Sequence, residues 1–155
     1  NLTGKVEKVS IDDASAFLAR FDNGSLATFE ATRYAVGRRN YNQFEIHGSK
    51  GMLRFNLEDL NRLEFFDSND KQEILGAHQV LVTGPGHPYV DRYWPPGHII
   101  GYEHSFTHQV ADFIAGLASG KPAGPTFKDG LATDYVTDAV LKSAKTGKWE
   151  KVGQV

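Results

Sequence analysis

The sequence predicts an α+β fold: an open, predominantly antiparallel sheet with helices packed on one face and the other face available for oligomerisation. Three observations carry this expectation. Up to about residue 83, apolar and polar residues alternate in short runs separated by turn residues. After residue 101, two segments repeat apolar residues at helical spacing. Strands joined as hairpins and followed by helices, rather than interleaved with them, give an antiparallel sheet with helices to one side.

Taken in order, Lys5 to Ser10 alternates as a short half-buried strand. Ser15 to Phe21 and Leu26 to Thr32 flank Asn23-Gly24, a pair able to take positive φ at both central positions of a hairpin turn. Asn42 to His47 forms the next strand, with Phe44 and Ile46 on one face. Gly48 to Gly51 then turns the chain into Met52 to Leu57. Arg62 to Phe66 and Glu73 to Thr83 supply one or two more strands. The first helix is expected from Tyr102 to Ser119, with Phe106, Val110, Phe113, Ile114 and Leu117 as its core stripe. Gly120 ends it and Pro122 prevents its resumption. The second opens at Asp129 as N-cap and runs to Thr146, ending at Gly147. It buries Leu131, Tyr135, Val136, Ala139, Val140 and Ser143 and pairs Asp138 with Lys142.

The interval from Gly84 to Gly101 breaks this regularity. Pro85, Pro88, Pro95 and Pro96 forbid extended ladders, and connections beyond about 12–15 residues are usually functional or disordered. Tyr89, Tyr93, Trp94 and Ile99 argue that this one is packed against something.

Composition narrows the classes of function. The chain has 155 residues, 40% of them hydrophobic, and a net charge of −2 with neutral histidine. That suits one domain spanning 1–155 with a real core and disfavours a nucleic-acid or anionic-membrane partner. No run approaches the roughly 18 apolar residues of a membrane span. With no cysteine, disulfides and thiolate chemistry are excluded, and a cytoplasmic location is the natural expectation. The sequence starts Asn1-Leu2-Thr3-Gly4 and its single methionine is Met52, which reads as a piece of a longer protein.

The alternation also assigns sheet faces. Phe17, Ala19, Phe21, Ala27, Phe29, Ala31, Phe44, Ile46, Leu53, Phe55 and Leu57 are expected beneath the helices. The opposite face carries Arg20, Leu26, Glu30, Glu45, Met52 and Arg54. Mixed apolar and charged residues there are either a solvated surface or a subunit interface whose charges set register.

No phosphate-cradling glycine fingerprint, Gly-x-Ser-x-Gly or His-Glu-x-x-His is present. His98, His104 and His108 have spacing that would suit three metal ligands. Histidine pairs on a helix face are commoner than metal sites, however, and Glu103 lies off their face, so no metal is assigned. His104 and His108 lie opposite the apolar stripe, which places their partners outside this domain's interior or leaves them to water. Arg33 and Tyr34, in the basic aromatic stretch up to Tyr41, could bind an anionic or polyhydroxylated ligand or could simply be solvated. His87, Tyr93, Trp94 and His98 suit a sugar-stacking or lid role, or an aromatic plug over the sheet edge, and Tyr93, Trp94, His98 and His104 are expected near a substrate cleft or a subunit contact beside it.

Four stretches, in order, resemble the Gfo/Idh/MocA oxidoreductases, the family of glucose–fructose oxidoreductase and inositol dehydrogenase. They are Asp13 to Gly24; Phe44-Glu45-Ile46-His47-Gly48-Ser49-Lys50-Gly51-Met52-Leu53; Trp94 to His104; and Phe106 to Val152 with its Gly120-Lys121-Pro122 and Gly147-Lys148-Trp149. The resemblance implies the C-terminal substrate and oligomerisation domain of a longer NAD- or NADP-dependent sugar or cyclitol dehydrogenase. It implies an N-terminal Rossmann domain outside this chain, together with the cofactor turn, the Glu-Lys-Pro lysine and the helix bearing the catalytic Asp and His. The chain itself is then expected to hold no catalytic residue and no cofactor, to be inactive alone, and to form a homo-dimer or tetramer through the open sheet face. The different-class alternative is a stand-alone ligand-binding or assembly module without redox activity.

Overall fold

The computed structural model describes residues 4–6, 8–93 and 95–155. The chain runs β1 (Ala14–Arg20), β2 (Leu26–Thr32), β3 (Gln43–His47), β4 (Gly51–Asn56), β5 (Arg62–Asp67), β6 (His78–Leu81), α1 (Tyr102–Ser119) and α2 (Phe127–Thr146). It is an open, antiparallel α+β fold, as the hairpin-then-helix order predicted. The strands form two sheets rather than the expected one: β1-β2, and β3-β4-β5-β6. Two compact units result, one of Asn1–Arg38 with Phe127–Val155, the other of Arg39–Thr126.

In the first unit β1 and β2 pair with Phe17 opposite Phe29 and Ala19 opposite Ala27. The two phenyl rings stack at 4.8 Å, a contact worth about 0.5–1.5 kcal/mol beyond area burial. Only Gly24 of the turn takes positive φ, at 86°. Its N–H donates to Phe21 O at 2.8 Å, and Asn23 Oδ1 instead accepts from the Ser25 backbone and hydroxyl. This is a longer turn closed by a left-handed glycine, not a two-residue one. Residues 4–6 and 8–10 are irregular and exposed, against expectation; their alternation has no neighbouring strand to pair with.

Helix α2 starts two residues before the expected cap, so Asp129 lies in its first turn, where a carboxylate favours the positive end of the helix dipole. Tyr135, Val136, Ala139, Val140 and Ser143 are half-buried as expected, while Leu131 is exposed. Lys142 pairs with Glu150 at 2.6 Å rather than with Asp138. Ser143 Oγ donates to Lys148 O, and a Cβ on Gly153 would meet the Tyr135 ring at 2.9 Å. The tail therefore lies back along the helix that precedes it.

In the second unit β3 to β6 form a meander. Phe44 pairs with Phe55, Ile46 with Leu53, Leu53 with Phe65, Phe55 with Leu63 and Leu63 with Val80, so one face is largely apolar, interrupted by His78 opposite Phe65 and by Asp67 opposite Gly51. The register matches the predicted faces. The burial does not: Phe44, Ile46, Leu53 and Phe65 are exposed among the described residues. The other face holds a polar ladder. Arg54 donates to Glu64 at 3.2 Å and to Gln43 at 3.1 Å, with Glu45 at 3.8 Å. Gly51 is required where β4 meets β5, because an added Cβ would stand 2.4 Å from Phe66 O.

Candidate functional site

The site begins at Asn61, just before β5. Its backbone O accepts from Val82 N–H at 3.0 Å. Its side-chain amide donates to Ile100 O and accepts from Ile100 N–H, both at 2.8 Å. One residue thus clasps both feet of the long loop. Inside the clasp Gly97 N–H donates to Thr83 O at 2.9 Å. Thr83 and Val90 are the two buried residues among those described.

Helix α1 opens where the loop ends. Its N-cap is Gly101, which has no side chain to cap the helix. His104, three residues on, reaches back instead, and its Nδ1 accepts the Gly101 N–H at 2.9 Å. An Nδ1 that accepts carries no proton, so Nε2 carries it and can donate. Glu103, at 3.9 Å from the same nitrogen, is too distant for a hydrogen bond.

His104, His108 and Asp112 follow at i, i+4 and i+8 on one helix face, and the loop supplies two tyrosines to meet them. Tyr93 OH is bonded to His108 Nε2 at 2.6 Å, and the Tyr93 ring meets His104 and His108 edge-on at 5.2 and 5.5 Å. Tyr89 lies flat on the His108 ring, 4.0 Å away at 5°, and its hydroxyl donates to Asp112 Oδ2 at 2.6 Å. That hydrogen bond, with lesser contributions from desolvation and the carboxylate charge, holds the Tyr89 phenol above its usual pKa. Tyr89 is also the one non-glycine residue with positive φ among those described, at 64°. Such a conformation costs about 1–2 kcal/mol, which the stacking and the hydrogen bond offset.

The helix has therefore turned the opposite way from the expectation. His104 and His108 are half-buried with partners inside their own unit, while Phe106, Val110, Phe113, Ile114 and Leu117 are more than half exposed. The reason is local: the aromatic loop, pinned at both ends, offers the histidine face ring and hydroxyl partners.

Of the predicted site residues, Tyr93 and His104 are brought together. His98 is exposed, and its side chain makes no hydrogen bond among the described residues. Trp94 lies outside the described residues. Arg33 and Tyr34 belong to the other unit, where Arg33 N–H donates to Asp13 O and Tyr34 OH to Asp13 Oδ2 at 3.0 Å. Among the interface candidates, Arg20, Leu26 and Glu30 lie on β1-β2 and Glu45, Met52 and Arg54 on the four-stranded sheet. The Arg20 guanidinium sits 5.4 Å over the Trp149 ring, and Glu45 bonds His47 at 2.6 Å. Sequence reasoning missed Asn61, Tyr89 and Asp112. The four-residue spacing from His104 to His108 to Asp112 was available as a signal for the last; nothing local marked Asn61.

Residues 2–152 match the Gfo/Idh/MocA family described as "Oxidoreductase family, C-terminal alpha/beta domain". The chain belongs to this family. It is 38% identical over 148 residues to levoglucosan dehydrogenase of Pseudarthrobacter phenanthrenivorans, covering 95% of this chain and 38% of that protein. Among solved structures it is similar to an oxidoreductase domain protein from Kribbella flavida, with a TM-score of 0.91 and 47% identity over 96% of this chain and 40% of that one. Levoglucosan dehydrogenase in complex with NADH and levoglucosan gives a TM-score of 0.91 at 37% identity, over 96% of this chain and 41% of that one. The chain thus spans about two fifths of the length of these Gfo/Idh/MocA relatives.

A dinucleotide does not fit the described residues. Every strand pairing is antiparallel, and neither helix is entered from a strand through a glycine turn. At the start of α1 the Gly101 N–H is already held by His104. No described helix is long and apolar enough to cross a membrane.

Proposed function

We propose that this Gfo/Idh/MocA chain, as one domain of residues 1–155, is the substrate-side and oligomer-forming part of an NAD- or NADP-dependent sugar or cyclitol dehydrogenase of the cytoplasm. The observation that carries the reading is the cluster of Tyr93, His104 and His108 within a chain 38% identical to a sugar dehydrogenase. Phenol hydroxyls and imidazole N–H groups suit a polyol, which offers donors and acceptors but no charge. A nicotinamide cofactor held by the remainder of the protein would supply the hydride acceptor. This chain's residues orient the sugar and shield it from water. Tyr93, His98 and His104 form the candidate wall; Arg33 and Tyr34, in the other unit, are candidates by themselves.

The test is to express the full-length protein and follow nicotinamide reduction with levoglucosan, L-sorbose, inositol and glucose. Turnover with at least one is expected. Tyr93→Phe should raise KM about tenfold, the cost of one hydrogen bond, with kcat little changed. Residues 1–155 alone should give no heat with millimolar NADH or NADPH. Saturable micromolar binding to that chain, or no turnover with any polyol, overturns the proposal.

A further inference from the structure

We propose that Tyr89 is a positioning residue, which fixes the His108 ring and through it the Tyr93 hydroxyl. The proposal rests on the reading of the Tyr93 cluster as a substrate wall only for its kinetic consequence. Three observations point to it. Tyr89 covers the His108 ring face to face at 4.0 Å, nearly parallel. Its hydroxyl is tied to Asp112, one turn further along the same helix, so the phenol spans His108 and Asp112 like a splint. It adopts a left-handed backbone conformation at φ 64°, which a tyrosine rarely takes unless its surroundings hold it there.

The consequence is a directed hydroxyl. With one face of His108 covered and its Nε2 committed to Tyr93 at 2.6 Å, the imidazole is held in a single ring orientation and tautomer. The Tyr93 oxygen is then fixed with it. Without Tyr89, His108 could rotate about its side-chain bonds, and Tyr93 would exchange its imidazole partner for water.

The experiment uses the 155-residue chain and nitrogen-15 spectra of its histidines, with a parallel kinetic arm in the full-length protein. Wild type should show one fixed tautomer for His108 and ring protons displaced upfield by the stacked phenol. Tyr89→Leu should abolish that displacement and average the tautomers, while amide signals of β3 to β6 stay in place. Tyr89→Phe keeps the ring but loses the tie to Asp112, so it should keep a reduced displacement with the amide signals of β3 to β6 in place. Unchanged His108 signals in Tyr89→Leu overturn the proposal, as does a Tyr89→Phe displacement no larger than that of Tyr89→Leu together with a wild-type His108 tautomer. In the full-length protein Tyr89→Leu should raise KM for the polyol about tenfold with kcat within about twofold. If the spectra change while KM does not, Tyr89 still positions His108, and it is the substrate-wall reading that falls.

Discussion

Asn61 shows how much one side chain can hold. Its two hydrogen bonds to Ile100 copy a backbone bridge, and its own carbonyl holds Val82. Asn61→Leu keeps the volume but leaves the Ile100 amide and carbonyl without partners. At about 1 kcal/mol for each lost bond, stability should drop by about 2 kcal/mol, read from the urea midpoint at unchanged slope. Asn61→Asp still accepts from Ile100 N–H and should lose about half as much. Amide exchange at Ile100 and Gly97 should accelerate in the leucine variant while that of β4 stays slow. None of this was legible in the sequence. An asparagine beside a turn ordinarily reads as turn chemistry, and its partner lies 39 residues away.

The strands and helices were far more legible. Alternation placed Phe17 and Phe29 on one face, and Phe44 and Phe55 likewise, and helical spacing with Gly120 gave the bounds of α1. Failure came where an element's exposure depends on what covers it, since periodicity marks an apolar stripe but not its neighbour. At α2, charge supplies a test. Lys142 first, and then Thr146, holds the Glu150 carboxyl below its usual pKa. A carboxylate with a depressed folded-state pKa stabilises above the ordinary glutamate value of about 4.3, and that contribution disappears as pH falls through the folded value. The difference in thermal midpoint between wild type and Glu150→Gln should therefore be present at pH 7 and shrink progressively as pH falls below the ordinary glutamate value of about 4.3. A difference that does not change with acidification would remove Glu150 as its source. Between β4 and β5, Gly51→Ala forces a methyl against Phe66 O. The ladder must break there, and dispersion of the β4 and β5 amide signals should collapse while the β1-β2 hairpin keeps its own.

At the scale of the whole molecule, exposed apolar surface dominates: Phe44, Ile46 and Leu53 on one sheet, Phe106, Phe113 and Leu117 on α1, Leu18 and Leu26 on the hairpin. Soluble monomers rarely leave contiguous apolar patches beyond a few hundred square ångströms. Association with a further copy should reduce this exposure, and sedimentation of the isolated chain should show at least a dimer. Leu26→Arg should weaken it. A monomer at high concentration, with or without that substitution, would count against an interface on the hairpin. The charge pattern that first suggested such an interface is partly consumed at home, since Arg54 is shared among Gln43, Glu45 and Glu64. That internal pairing follows from register, which places Glu45 and Glu64 on either side of Arg54. Sequence alternation alone could place them on one face but not beside one another.

The clasp at Asn61 also fixes where the segment it encloses leaves and rejoins the scaffold. Because Val82 and Ile100 are anchored on the same residue, the distance between the feet is set independently of what lies between them. Lengthening such a closed ring costs little, only about 0.6 kcal/mol for each doubling. Residues 83–99 should therefore tolerate a change of length between the feet while the sheet and the start of α1 keep their geometry, provided that Tyr89 and Tyr93 keep their partners on α1. An engineer seeking new selectivity would recombine here, cutting at the two anchored feet and leaving Asn61 in place.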